Sequence, residues 1–168
     1  MEVQDDIKFN SGLELYVSGM KLCKNLLKDA MSDNDKNKSF IHFYHFLCDM
    51  FALRENLKII DSENMYVALK NYYECIKHFN NHDKVQNINL FIYSKKYPYS
   101  YPYTYGPAIL RFKEMDKEVA KINNRQQDVK ANKMIEVHNK FLKDKNVIEV
   151  LEICITECEE LLKENDNG

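Results

Sequence analysis

The chain has 168 residues, 45% hydrophobic and 30% charged, with a formal net charge of -2. That length and balance fit one domain with a sizeable core and exclude wholesale disorder. Only four glycines and three prolines serve tight turns, too few for sandwiches, barrels or doubly wound sheets, so the expected class is all-α.

In chain order, Ser11-Gly-Leu-Glu14 reads as a capping box that starts a first helix. Leu13, Tyr16, Val17, Met20, Cys23, Leu27 and Ala30 then recur at three and four as a one-sided apolar stripe, ending near Met31. The polar run from Ser32 to Ser39 is a loop, and Ser39 caps a second helix to about Ile60. Phe40, Phe43, Phe46, Leu47, Met50 and Leu53 are part of an apolar coat around most of this helix, which makes it the central one. Asp61 or Ser62 caps a third helix facing inward through Met65, Leu69, Tyr72, Tyr73, Ile76 and Phe79, stopped by Asn80-Asn81.

Residues 85 to 93 are ambiguous between helix and strand, with the balance toward helix. From Tyr93 to Tyr105 six tyrosines and two prolines fall in thirteen positions, which imposes a long extended crossover over about 93–106. Pro107 then suits the first position of a long helix, kinked at most, running to about Lys143 through Ala108, Phe112, Met115, Val119 and Ile122. Asn146 with Glu149 caps a last helix facing inward through Val147, Val150, Leu151, Cys154, Cys158, Leu161 and Leu162. The expectation is a single-domain bundle of five or six helices over 1–168, with residues 1–10 and 164–168 as flexible ends.

Charge is uneven: residues 107–146 hold ten Lys/Arg against six Asp/Glu, whereas 147–168 hold seven acids against Lys163 alone. Antiparallel packing of these two segments would let them attract one another. Five cysteines, Cys23, Cys48, Cys75, Cys154 and Cys158, form no Cys-x-x-Cys and sit at apolar helical positions, so they read as reduced core thiols. The acidic start and the interrupted apolar run Phe40–Leu53 give neither a leader nor a membrane span, hence an expected intracellular location, cytoplasmic or nuclear. Lysine outnumbers arginine 21 to 3, and Asn, Ile and Tyr are abundant, the signature of an AT-rich genome such as a protozoan, low-GC bacterial or large viral one.

Enzyme signatures fail residue by residue. Glu-x-x-His and Gly-x-Ser-x-Gly are absent, and no two glycines stand within six residues to cradle a phosphate. His42, His45 and Asp49 share one face of the second helix and are the donors a metal site would use, although a solvated stripe explains them as well. No cofactor is expected. No motif ties the chain to a known family.

The tyrosine segment supplies the leading expectation, a non-enzymatic protein–protein interaction module acting as an adaptor or regulator. It would bind a partner helix or peptide through Tyr97, Tyr99, Tyr101, Tyr103, Tyr105 and Phe112. The alternative is a single-stranded nucleic-acid-binding bundle, with rings stacking bases while Lys95, Lys96, Arg111, Lys113, Lys117 and Lys121 follow the phosphates. Metal-dependent activity at His42, His45 and Asp49 is third. A lid of tyrosines folded over helix ends would have no partner at all.

Overall fold

The computed structural model describes residues 11–79, 91–94, 109–115, 117, 120, 121, 124, 125 and 127–168. Among these are five helices, α1 (Gly12–Ser32), α2 (Lys36–Asn56), α3 (Met65–Phe79), α4 (Asp128–Phe141) and α5 (Val147–Asn167). A two-stranded antiparallel sheet, β1 (Phe91–Ser94) and β2 (Ile109–Phe112), lies between α3 and α4 in sequence. The molecule is an all-α bundle with α2 against α1, α3 and α5.

The helix ends follow from local chemistry. Asp35, not Ser39, caps α2 by accepting the Lys38 amide at 3.0 Å; Ser39 lies one turn inside, buried, and its hydroxyl donates to the Asp35 carbonyl. Asn64, rather than Asp61 or Ser62, caps α3 by accepting the Val67 amide. At the C-terminal ends of α1 and α2, Asn34 and Lys58 adopt φ of 55°. Their amides return to Met31 and Glu55, while Asp35 and Ile59 return to Ala30 and Arg54. Both ends are therefore Schellman caps built without glycine, and α2 stops at Asn56 rather than near Ile60. Asn146 does cap α5, accepting from Ile148 and Glu149.

Three further expectations are corrected. The 107–143 segment is not one helix: β2 occupies 109–112 and α4 begins at Asp128. Leu110 and Phe112 are fully buried while Arg111 between them is not, the alternation of a strand. The last residues of the 85–93 stretch are strand, since β1 pairs Phe91 with Phe112 through Ser94 with Ile109. Residues 164–167 continue α5 rather than forming a loose tail. Residues 1–10 and the crossover beyond Ser94 lie outside the described residues.

β2 is held on its other side as well. Phe112 exchanges backbone hydrogen bonds with the α4–α5 turn, donating to Lys145 and accepting from Asp144, and Arg111 bridges to Asn146. The acidic α5 packs on α1, where Glu152 meets Lys24 and Lys28 at 3.9 and 3.5 Å and Glu159 meets Lys21. The opposite charge that α5 attracts thus comes from the first helix, not from the basic segment before it. These exposed pairs contribute little each. Apolar burial of Val17, Met20, Leu27, Leu151, Cys154 and Cys158 holds the interface.

Candidate interaction surface on the α1–α2 face

α1 carries two apolar stripes. One, Val17, Met20, Cys23, Leu27 and Ala30, is buried. The other is Leu15, Leu22 and Leu26, spaced seven and four, which leave 52%, 58% and 37% of their surface in water. At 100° per residue these three leucines fall within about 40° of one another on one helix face. Ile41 of α2, 47% exposed, adds a fourth large aliphatic. On α1 the residues between the leucines on this face are Ser18, Gly19 and Asn25, and the exposed Asp29 lies one turn beyond Leu26.

α1 and α2 approach closely at Gly19, which lies between Leu15 and Leu22 in the sequence of α1. A Cβ placed on Gly19 would collide with the Asp49 carboxylate, so α2 presents Asp49 directly to the α1 backbone. Asp49 is half-buried, and burial raises its carboxyl above the usual range while His45, four residues earlier, pulls the other way. His42 is half-buried and His45 exposed. The predicted His42, His45 and Asp49 stripe therefore borders the exposed leucines. No group of three or more His, Cys, Asp or Glu side chains among the described residues is arranged to hold a metal ion. Cys23 lies behind Asp49, its thiol pushed up to about 11 by burial, then by Asp49 and Cys48; it is a protonated packing group at neutral pH.

The remaining predicted site residues disperse. Phe112, expected on a partner-binding edge, is fully buried with its ring 5.9 Å from Phe43 and 6.0 Å from Tyr72. It is a core residue because β2 aims its even positions into the bundle. Arg111 donates to the Asp144 carbonyl and Lys121 pairs with Asp128 at 3.2 Å. Lys113 follows β2 in irregular backbone, so it shares no helix face with Lys117 and Lys121. Tyr97, Tyr99, Tyr101, Tyr103, Tyr105, Lys95 and Lys96 lie outside the described residues. The exposed leucines of α1 carry none of the side-chain chemistry that marks a candidate site in sequence, and their 15–22–26 spacing is the one signal that points to them.

Two buried polar groups stand apart from this face. Arg54 is 6% exposed, paired with Asp61 and stacked 3.6 Å from the centre of the Tyr66 ring, whose hydroxyl donates to Glu157 of α5. Beside them, Cys158 is pushed up to about 11, chiefly by burial, and Cys154 is raised for the same reason. The other is His138, fully buried on α4. Its Nε2–H donates to the Lys113 carbonyl at 2.5 Å, and its ring meets Tyr72 edge-on at 4.8 Å. Nδ1 is buried without a partner, so a second proton there would find no acceptor.

Burial accordingly holds the His138 pKa below its ordinary 6.5, against the opposing pull of Lys113 and Glu114. The unfolded chain takes up this proton more readily than the folded one. The stabilisation from neutral His138 is complete above pH 6.5 and is lost as pH falls toward the folded-state value. The thermal midpoint is expected to drop between about pH 7 and about pH 5.5, and His138→Gln, which keeps a donor for Lys113, to flatten that slope. Thermal scans of both proteins across the window check this; parallel slopes would assign the titration to another group.

A mixed-charge groove of about 410 Å³ between α3 and α4, lined by Asn71, Lys130, Lys133 and Val137 among others, is partly neutralised by Glu63 pairing with Lys133. No helix among the described residues is long and apolar enough to cross a membrane. No family model matches the chain, and no curated protein or solved structure is significantly similar to it.

Proposed function

We propose that this protein is a non-enzymatic protein–protein interaction module, a helical-bundle adaptor or regulator that binds a partner α-helix on its α1–α2 face. The observation that carries this reading is the row Leu15, Leu22 and Leu26, three large aliphatics exposed on one face of α1, with Ile41 exposed on the neighbouring α2. Leucines at seven- and four-residue spacing are the pattern by which one helix accepts another. The protonated state of Cys23, Cys154 and Cys158 weighs in the same direction, since a thiol with a raised pKa is a poor nucleophile.

A photo-crosslinking amino acid at position 22 or 26, introduced in the native cells, is expected to trap a discrete protein. The same group at Thr156, on the exposed face of α5, is not. Leu22→Glu should weaken that association about 30-fold or more while leaving unfolding free energy within about 0.5 kcal/mol of wild type. Equal labelling from positions 22 and 156 would sink the proposal.

A further inference from the structure

We infer that His138 is an acid-operated latch, whose protonation frees α4 from α3 and from the end of β2 while α1, α2 and α5 stay packed on one another. Three elements meet at this one imidazole. From α4 its Nε2–H holds the Lys113 carbonyl just past β2, and the same nitrogen lies 3.1 Å from the Tyr72 hydroxyl of α3. Tyr72 is itself buried, with its ring 6.0 Å from that of Phe112, so the site is closed toward the core. Nδ1 finds no hydrogen-bond partner, and Asn139 Oδ1, likewise buried and unpartnered, forms no bond with it. An imidazolium formed in place would bury a charge and an unanswered N–H together. Moving the ring into water removes both costs.

The architecture lets that movement stay local. Among the described helices α4 packs chiefly on α3, whereas α1 packs on α2 and α5, and α2 on α3 and α5. The buried side of α4 is short, comprising Ala131, Met134, Val137 and His138. Its departure therefore exposes far less apolar surface than unfolding the whole chain. The α4–α5 turn keeps its own anchor, because the Phe112 backbone bonds with Asp144 and Lys145 do not pass through the imidazole. Of the charged groups, Glu114 faces His138 from the segment after β2 and pairs with Lys143 at 3.5 Å; burial outweighs its pull on the imidazolium. Across the α3–α4 contact Glu63 pairs with Lys133 and Lys140 at 3.2 and 3.4 Å. Lys133, then Lys140, holds the Glu63 carboxyl below its ordinary 4.5, so Glu63 stays ionised where His138 takes its proton.

Hydrogen exchange read by mass spectrometry at about pH 7 and about pH 5.5, corrected for intrinsic rates, separates a latch from general weakening by acid. Protection of amides in 130–141 should fall with pH, by at most about tenfold for each unit below 6.5, the limit for one added proton, while that in 150–162 holds. His138→Gln, which keeps a donor for Lys113 and takes no proton, should abolish the pH dependence in α4. Unchanged protection in α4, an equal loss in α4 and α5, or an α4 response that survives His138→Gln each overturns the latch. If the glutamine variant does not fold, the ring resonances of His138 in the wild-type chain decide: they should titrate over the pH range in which α4 opens, and a ring that stays neutral while α4 opens removes His138 as the cause.

Discussion

Arg54→Ala is expected to lower the unfolding free energy by about 3 kcal/mol, the low end of the cost of breaking a buried ion pair. The low end applies because Asp61 keeps 20% of its side chain in water and can be rehydrated, whereas Arg54 keeps 7%. The guanidinium joins three elements: it leaves α2, pairs with Asp61 in the turn before α3, and lies on the Tyr66 ring, which reaches α5 through Glu157. Arg54→Lys should recover little, since an ammonium offers neither the planar stack nor the forked donors. Urea titrations of the three proteins measure both differences. A lysine variant with the wild-type midpoint would mean that charge alone matters and that the stack on Tyr66 is incidental.

Phe112→Ala is expected to cost about 3–5 kcal/mol, the range for removing a fully buried aromatic ring. Its ring contacts Phe43 of α2 edge-on and Tyr72 of α3, so the cavity would open where the sheet meets two helices. The backbone bonds of Phe112 to Asp144 and Lys145 do not depend on the side chain, so β2 has reason to remain in place while the core loosens. Chemical denaturation gives the magnitude. A loss below about 1 kcal/mol would describe an exposed ring and restore Phe112 to a binding edge.

The contrast between Phe112 and α5 explains what the sequence discloses. In α5 a polar cap and a regular apolar stripe agree, and the helix starts where those signals put it, although it runs on to Asn167. Around Phe112 two periods coexist. Ala108, Phe112, Met115 and Val119 satisfy a helix, yet Leu110 and Phe112 with Arg111 between them satisfy a strand. The second pattern is realised through pairing with β1 and with the α4–α5 turn, partners distant in sequence that periodicity within one segment does not reveal.

The candidate site was less legible than the fold. His42, His45 and Asp49 drew notice because their side chains carry chemistry, whereas Leu15, Leu22 and Leu26 resembled ordinary core residues. An exposed leucine is distinguished from a buried one only by which side of its helix the neighbours occupy, and α1 is covered by α2 and α5 on its other sides. Arg54 and His138 were hidden by the converse rule. Charged and titratable side chains on helices usually face water, and only the ring of Tyr66 and the carbonyl of Lys113 make these two exceptions affordable.

The packing of α5 on α1 has a consequence for synthesis. Ribosomes deliver the chain from its N-terminus, so the α1–α2 hairpin emerges more than eighty residues before Val147 does. During that interval Val17, Met20 and Leu27 lack their α5 partners, and the hairpin shows water an apolar surface on its future inner side as well as on its outer one. Nascent chains are thus most vulnerable to capture by chaperones, or by each other on a polysome, just before the last helix arrives. The lysine row Lys21, Lys24 and Lys28 borders that waiting surface with positive charge until Glu152 and Glu159 of the acidic helix close over it.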